Sequence, residues 1–227
     1  MKPSRQWKLS SVRKLLVAAI FLLAGPTVFA QSADVGLVSM AAGDARFVPL
    51  GGRAAEVRAF MKIRDGDRFN LPAGAQVRLV YYESARQELW AGPASFRAGK
   101  GASEEISGKP AEVGTLPVAA KLRIARVPEL MQNAKLGGIQ VRGALPRAPK
   151  AGPEQQATLR EARETYESMR SNSAADDITP ELVLYAALYD LRLFDDMNVV
   201  VDAMLRKQPG NDDLRQLRAR VETRGAR

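Results

Sequence analysis

The run Gln76-Val77-Arg78-Leu79-Val80-Tyr81-Tyr82, followed by Glu83-Ser84-Ala85-Arg86 and Gln87-Glu88-Leu89-Trp90-Ala91, decides how the first half of this chain is read. Side chains of an extended chain alternate between faces, so Val77, Leu79 and Tyr81 share one side while Gln76, Arg78 and Tyr82 share the other. That alternation predicts a strand with one face toward a core. The polar stretch 83–86 is short enough for a hairpin connection, with 87–91 as the returning strand. Further out, Gly43-Asp44, Gly51-Gly52, Asp65-Gly66-Asp67, Pro72-Ala73-Gly74, Gly92-Pro93 and Gly99-Lys100-Gly101 cut the chain into pieces too short for helices. Ala94-Ser95-Phe96-Arg97 is another such strand. Many short strands without a helical run between them predict an antiparallel all-β unit over 31–143, with edge strands at 118–124 and 138–142.

The pattern changes after a Pro- and Gly-rich stretch at 144–152, which has the composition of a linker. From Pro153 onward apolar residues recur every three or four positions. Leu159, Ala162, Tyr166 and Met169 give a first helix ending near Ser171. Thr179-Pro180 opens a second, with Leu184, Ala187, Leu188 and Leu191 on its core side. Asp195-Asp196 opens a third, carrying Val200, Val201, Met204 and Leu205, which Gln208-Pro209-Gly210 stops. Asn211 or Asp212 caps a last helix containing Leu214, Leu217 and Val221. The expected fold class is therefore α+β, an antiparallel β-domain at 31–143 followed by an α-helical region at 153–227.

The chain has 227 residues with no Cys and no His. The usual nitrogen- and sulfur-ligated zinc sites, disulfides, haem ligation and His-based nucleophile triads are thereby excluded. No phosphate loop, dinucleotide fingerprint or metal-ligand spacing is present, so no cofactor and no metal is expected. At the N-terminus, Lys2, Arg5, Lys8, Arg13 and Lys14 precede the apolar run 15–24 and the small-residue exit Val28-Phe29-Ala30. That order predicts a cleavable secretory signal over 1–30 and a periplasmic location. Ten apolar residues form about 15 Å of helix, half of a bilayer core, and are too short for a stable anchor.

Without the leader the formal charge falls from +9 to +4, divided as +7 over 31–150 and −3 over 151–227. A basic first part favours anionic partners such as an envelope polymer. Nucleic acid is disfavoured, since neither a basic helix nor an aromatic stacking motif is present.

The stretches Phe60-Met61-Lys62-Ile63-Arg64-Asp65-Gly66-Asp67-Arg68-Phe69, 71–80 and 86–96 together resemble the FecR-type periplasmic domain, in which a Gly-Asp turn precedes a strand and a hairpin follows. The resemblance implies an exported β-domain. Residues 184–188, Phe194, Val201, Met204 and Pro209 fall at intervals similar to those of a degenerate tetratricopeptide repeat, which implies protein–protein contact through a helical groove.

Two sets of residues are candidates for binding. Tyr82 and Trp90, with Arg78 and Arg86 nearby, form an expected aromatic and basic platform on the β-domain, Tyr81 being assigned to the core. Tyr185, Tyr189 and Phe194 form an expected partner face on the helices. Asp65 and Asp67 are read as a turn rather than a calcium loop, and Glu83 and Glu88 as solvated charges rather than a glycosidase pair. The expected function is an exported, non-enzymatic envelope binding or scaffold protein whose helical tail contacts another envelope protein. The alternatives are a membrane-tethered sensor with an uncleaved leader, the one way the chain would meet a membrane, and a carboxylate-based enzyme acting on envelope glycans.

Overall fold

A computed structural model describes residues 33–135 and 152–225. The described residues form ten strands followed by five helices, an α+β order as the change of periodicity predicts. The strands are β1 (Asp34–Ala42), β2 (Arg46–Val48), β3 (Ala55–Glu56), β4 (Lys62–Arg64), β5 (Arg68–Leu71), β6 (Gln76–Tyr81), β7 (Arg86–Ala91), β8 (Ala94–Ala98), β9 (Ser103–Ser107) and β10 (Glu112–Thr115). The helices are α1 (Val118–Lys135), α2 (Pro153–Ser171), α3 (Thr179–Asp190), α4 (Phe194–Lys207) and α5 (Asp212–Gly225).

The strands make two five-stranded antiparallel sheets. Sheet I has the order β10-β7-β6-β1-β4 and sheet II the order β3-β2-β5-β8-β9. The β6–β7 hairpin sits inside sheet I, with Val77 opposite Trp90 and Leu79 opposite Glu88. Its inward side chains meet those of sheet II in a core of Val77, Leu79, Tyr81, Trp90, Phe69, Leu71 and Phe96. Aromatic rings run through that core as a stack. Phe47 and Phe69 have centroids 5.8 Å apart, Phe69 and Phe96 4.9 Å, and Phe96 and Trp90 4.2 Å, joining β2, β5 and β8 of one sheet to β7 of the other.

The second face of sheet I is also buried, which the alternation alone does not predict. Leu37 and Val80 on that face join a second core with Ile124, Val127, Ile178, Leu182 and Val201 from the helical layer. The molecule is thus layered as sheet II, sheet I and helices, with β1 and β6 buried on both sides. Gly36 on β1 fits this crowding, because a Cβ there would lie 2.3 Å from the Val80 carbonyl oxygen.

Residues 118–124 are not an edge strand. They begin α1, whose buried residues Ala120, Ile124, Val127, Leu130 and Met131 recur every three or four positions along one face. Pro128 lies inside this helix and removes one backbone donor. It is itself buried, and its neighbours Val127 and Leu130 are in the second core, so packing offsets the lost bond. The expected strand at 138–142 and the linker before Gly152 lie outside the described residues.

Helices α2 to α5 have the expected boundaries within a few residues. Consecutive helices pack against one another, and α1 packs against both α3 and α5. Helix α3 is surrounded, with every residue from Thr179 to Leu188 buried. Such a helix is apolar on all sides rather than on a stripe. Asn211 caps α5 by accepting the Leu214 N–H at 3.2 Å. No helix among the described residues is long and apolar enough to cross a membrane.

Candidate functional site

Four of the sequence-derived candidates lie on or beside the β6–β7 hairpin, and the alternation of the strands separates them. Arg78 points away from the inter-sheet core into the space under the helical layer, where its side chain is only 2% exposed. Its Nη2 lies 3.5 Å from Glu112 Oε2 and 3.7 Å from Asp176 Oδ1, and its Nη1 lies 3.7 Å from Asp177 Oδ1. Asp177 is buried as well. Its Oδ1 accepts the Thr179 N–H at 2.9 Å, and its Oδ2 accepts from Gln87 Nε2 at 2.8 Å. Gln87 also donates to Thr179 Oγ1 at 3.0 Å.

This cluster ties sheet I to the connection between α2 and α3. Beside it lies a polar crevice of about 110 Å³ lined by Arg78, Gln87, Glu112, Asn172 and Asp177. Small-molecule sites typically enclose roughly 300–1,000 Å³, so the crevice suits ordered water rather than a substrate. Arg78 is therefore part of the joint between layers and not of an exposed platform.

Trp90 is fully buried and also leaves the expected platform. It faces the inter-sheet core because it pairs with Val77 on the inward side of the hairpin. Its Nε1 donates to Glu88 Oε2 at 2.9 Å, and Glu88 Oε1 accepts from Arg86 Nε at 2.5 Å and from the Ser103 N–H at 3.4 Å. Glu88, expected as a solvated charge, is 1% exposed. Burial leaves it affordable only because three donors converge on it. Glu83 sits exposed on the turn between β6 and β7, so the two carboxylates do not share a cleft as a glycosidase pair must. Arg86 is half-exposed and engaged with Glu88.

Tyr81 is in the core as expected, and its hydroxyl pairs with Ser103 Oγ at 2.7 Å. Tyr82 is half-buried against the second core, facing the helices rather than solvent. Burial raises the phenol pKa of Tyr82 well above its ordinary value, and the nearby charges of Asp34 and Glu129 push the same way. Asp65-Gly66-Asp67 is a turn, with Asp67 Oδ2 accepting the Arg64 N–H at 2.9 Å. Burial raises the Asp67 pKa despite the opposing backbone bonds from Arg64 and Leu50.

On the helices, Tyr185 is buried on α3, and Tyr189 and Phe194 are partly buried against the same core. Burial withdraws Tyr185 from the expected partner face, while Tyr189 and Phe194 keep part of their surface exposed. The polar centre of this layer is Glu181, buried in the first turn of α3. It accepts from the Tyr166 hydroxyl at 3.2 Å and lies 3.4 Å from Arg170 and 3.7 Å from Lys207. Arg170 also donates to the carbonyls of Ser173, Ala174 and Asp177, which holds the α2–α3 connection on the end of α2.

The surface that does remain open is the outer face of sheet II. Alternation directs Phe47, Phe69 and Phe96 inward and Arg46, Val48, Arg68, Asn70, Ser95 and Arg97 outward. A depression of about 370 Å³ on this face is lined by Arg46, Arg68, Asn70, Ser95, Val48 and Ile106. Ile106 is 58% exposed and Val48 42%. The sequence carries this signal as one arginine immediately before Phe47 and one before Phe69, but three- and four-residue strands are too short to display it without knowledge of pairing. Among the described residues no group of three or more acidic side chains is placed to hold a metal ion.

No family model, no curated protein and no solved structure matches the chain.

Proposed function

We propose that this protein is an exported, non-enzymatic binding or scaffold protein of the envelope, with a FecR-like β-domain and a tetratricopeptide-like helical layer. The observation that carries the reading is the outer face of sheet II, where Arg46 and Arg68 border a depression with exposed aliphatic walls. A basic depression with apolar walls suits retention of another molecule. Three buried carboxylates, by contrast, are engaged structurally: Glu88 holds Trp90 and Arg86, Asp177 holds Gln87 and Thr179, and Glu181 holds Tyr166 and Arg170. In this reading the helical layer braces sheet I and presents the β-face, and the partner is another envelope component. The order of charges, apolar run and small residues over 1–30 supports export through a cleaved signal.

Two measurements test it. Intact mass of protein recovered by osmotic shock is expected to lack residues 1–30, whereas full-length chain held in the membrane favours the tethered sensor. Purified leaderless protein is expected to co-sediment with isolated cell envelopes and to lose that association in the Arg46→Glu/Arg68→Glu double variant. Hydrolysis of envelope glycan abolished by Glu83→Gln would overturn the non-enzymatic reading.

A further inference from the structure

Register across sheet II builds two rows of outward side chains. Val48, Arg68 and Arg97 stand opposite one another on β2, β5 and β8, and the row ends on β9 at Glu104. Arg46, Asn70, Ser95 and Ser107 form the second row. A carboxylate ends each row, and one of them, Glu104, accepts from both Nε and Nη2 of Arg97. Glu56, opposite Arg46 on β3, lies 3.7 Å from Arg58. The guanidiniums of Arg46 and Arg68 have no carboxylate within 4.0 Å among the described residues and no side-chain hydrogen-bond partner there.

These two arginines are diagonal neighbours, Arg68 lying two positions from the Asn70 that pairs with Arg46. Diagonal partners on adjacent antiparallel strands are about 7–8 Å apart and within reach of long side chains, so both guanidiniums can act on one ligand. Alternate side chains of an extended peptide repeat at about 6.6–6.8 Å. Two carboxylates separated by one residue therefore match the spacing of the two guanidiniums, each of which can grip a carboxylate with parallel N–H donors. Asn70 and Ser95 place neutral hydrogen-bonding groups in the depression, and Val48 and Ile106 offer apolar walls to an aliphatic side chain of the same ligand.

We propose that the outer face of sheet II binds an extended acidic peptide segment of a partner protein, with carboxylates two residues apart seated on Arg46 and Arg68. A concave, walled site favours a chain that enters it over the flat surface of a bilayer. The inference rests on the reading of this face as a binding surface and adds the chemistry of its ligand.

The test is fluorescence anisotropy of a labelled peptide bearing two glutamates separated by one valine, titrated with the purified full chain, beside the same peptide with glutamines. Binding is expected for the glutamate peptide, weakened at least about tenfold by Arg46→Glu/Arg68→Glu, by the glutamine peptide and by added salt. A peptide with two lysines is expected to bind the double variant instead. Both side chains are exposed, and an unchanged thermal melt shows that the variant is folded. Equal binding of the glutamine peptide, or no binding of the glutamate peptide at millimolar protein, overturns the proposal. Vesicles of phosphatidylglycerol and of phosphatidylcholine form a second arm. Arginine-dependent binding to the anionic vesicles alone overturns the peptide ligand and keeps the binding face, whereas indifference of both arms and of envelope co-sedimentation to the double variant removes the binding face itself.

Discussion

Trp90 gives its indole N–H to Glu88 Oε2 at 2.9 Å from two residues along the same strand, so donor and acceptor lie side by side on the inward face of β7. The same carboxylate holds Arg86 and the Ser103 N–H, and Ser103 on β9 belongs to the opposite sheet. Glu88 is thus a clip between sheets. Its removal strands an indole N–H in the core and frees a guanidinium at the rim. Glu88→Ala is expected to lower the unfolding free energy by about 2–4 kcal/mol. Glu88→Gln should cost about half as much, because its amide oxygen still accepts from the indole. Urea denaturation followed by tryptophan fluorescence reads both, since Trp90 is the only tryptophan beyond position 30.

The joint between sheet I and the helices should be asymmetric to mutation. Asp177 satisfies Gln87 and the Thr179 N–H and faces Arg78, all at a buried position. Asp177→Ala leaves a guanidinium buried with its closest remaining countercharges on the partly exposed Glu112 and Asp176, and is expected to cost about 3–5 kcal/mol. Arg78→Met replaces a buried cation by an apolar chain of similar length while Asp177 keeps its two donors. It should cost less than about 2 kcal/mol, and equal losses in chemical denaturation would remove Asp177 as the organising residue.

The parts of the fold legible in the sequence were those with a local signal. The β6–β7 hairpin showed itself through alternation around Glu83-Ser84-Ala85-Arg86, and α2 to α5 through apolar spacing bounded by Pro153, Thr179-Pro180, Asp195-Asp196 and Pro209. What escaped depended on a third layer. Pro117 and Pro128 mask the helical period of Ala120, Ile124, Val127 and Met131, so α1 reads as broken strand. Without the helical layer above sheet I, Arg78 and Tyr82 belong on a solvated face, and without the helices packed round α3 the same holds for Tyr185. The burial of Trp90 and Glu88 escapes the sequence for a different reason. Their face is set by pairing with Val77 and Leu79, a register that single-strand alternation does not supply.

Tyr82 offers a test of the second core. Its hydroxyl is buried with no hydrogen-bond partner among the described residues, so Tyr82→Phe removes an unsatisfied polar group. At neutral pH that change is expected to be neutral or stabilising by up to about 1 kcal/mol. The folded protein holds this phenol protonated beyond its ordinary pKa of 10.0, chiefly by burial. The unfolded chain ionises first as pH rises, so stability present below pH 10 is lost above it. Urea melts at neutral pH and above pH 10 should show a shallower alkaline loss for Tyr82→Phe than for the wild type.

Arg192 terminates α3 in a left-handed conformation with φ of 58°. Its N–H bonds the Tyr189 carbonyl at 3.1 Å and the following Leu193 N–H bonds the Leu188 carbonyl at 3.0 Å, the paired bonds of a Schellman ending. Leu193 packs on the same core as Leu188, so the turn also anchors the chain before α4. For a residue with a Cβ this backbone costs about 1–2 kcal/mol, and glycine escapes most of it. The arginine side chain is exposed and has no ion-pair partner among the described residues, so little is lost with it. After the extra chain entropy of glycine in the unfolded state, Arg192→Gly is expected to stabilise by about 0.5–1 kcal/mol. A rise in the denaturation midpoint at unchanged slope confirms the strain, whereas a fall shows that the arginine side chain contributes more than its backbone costs.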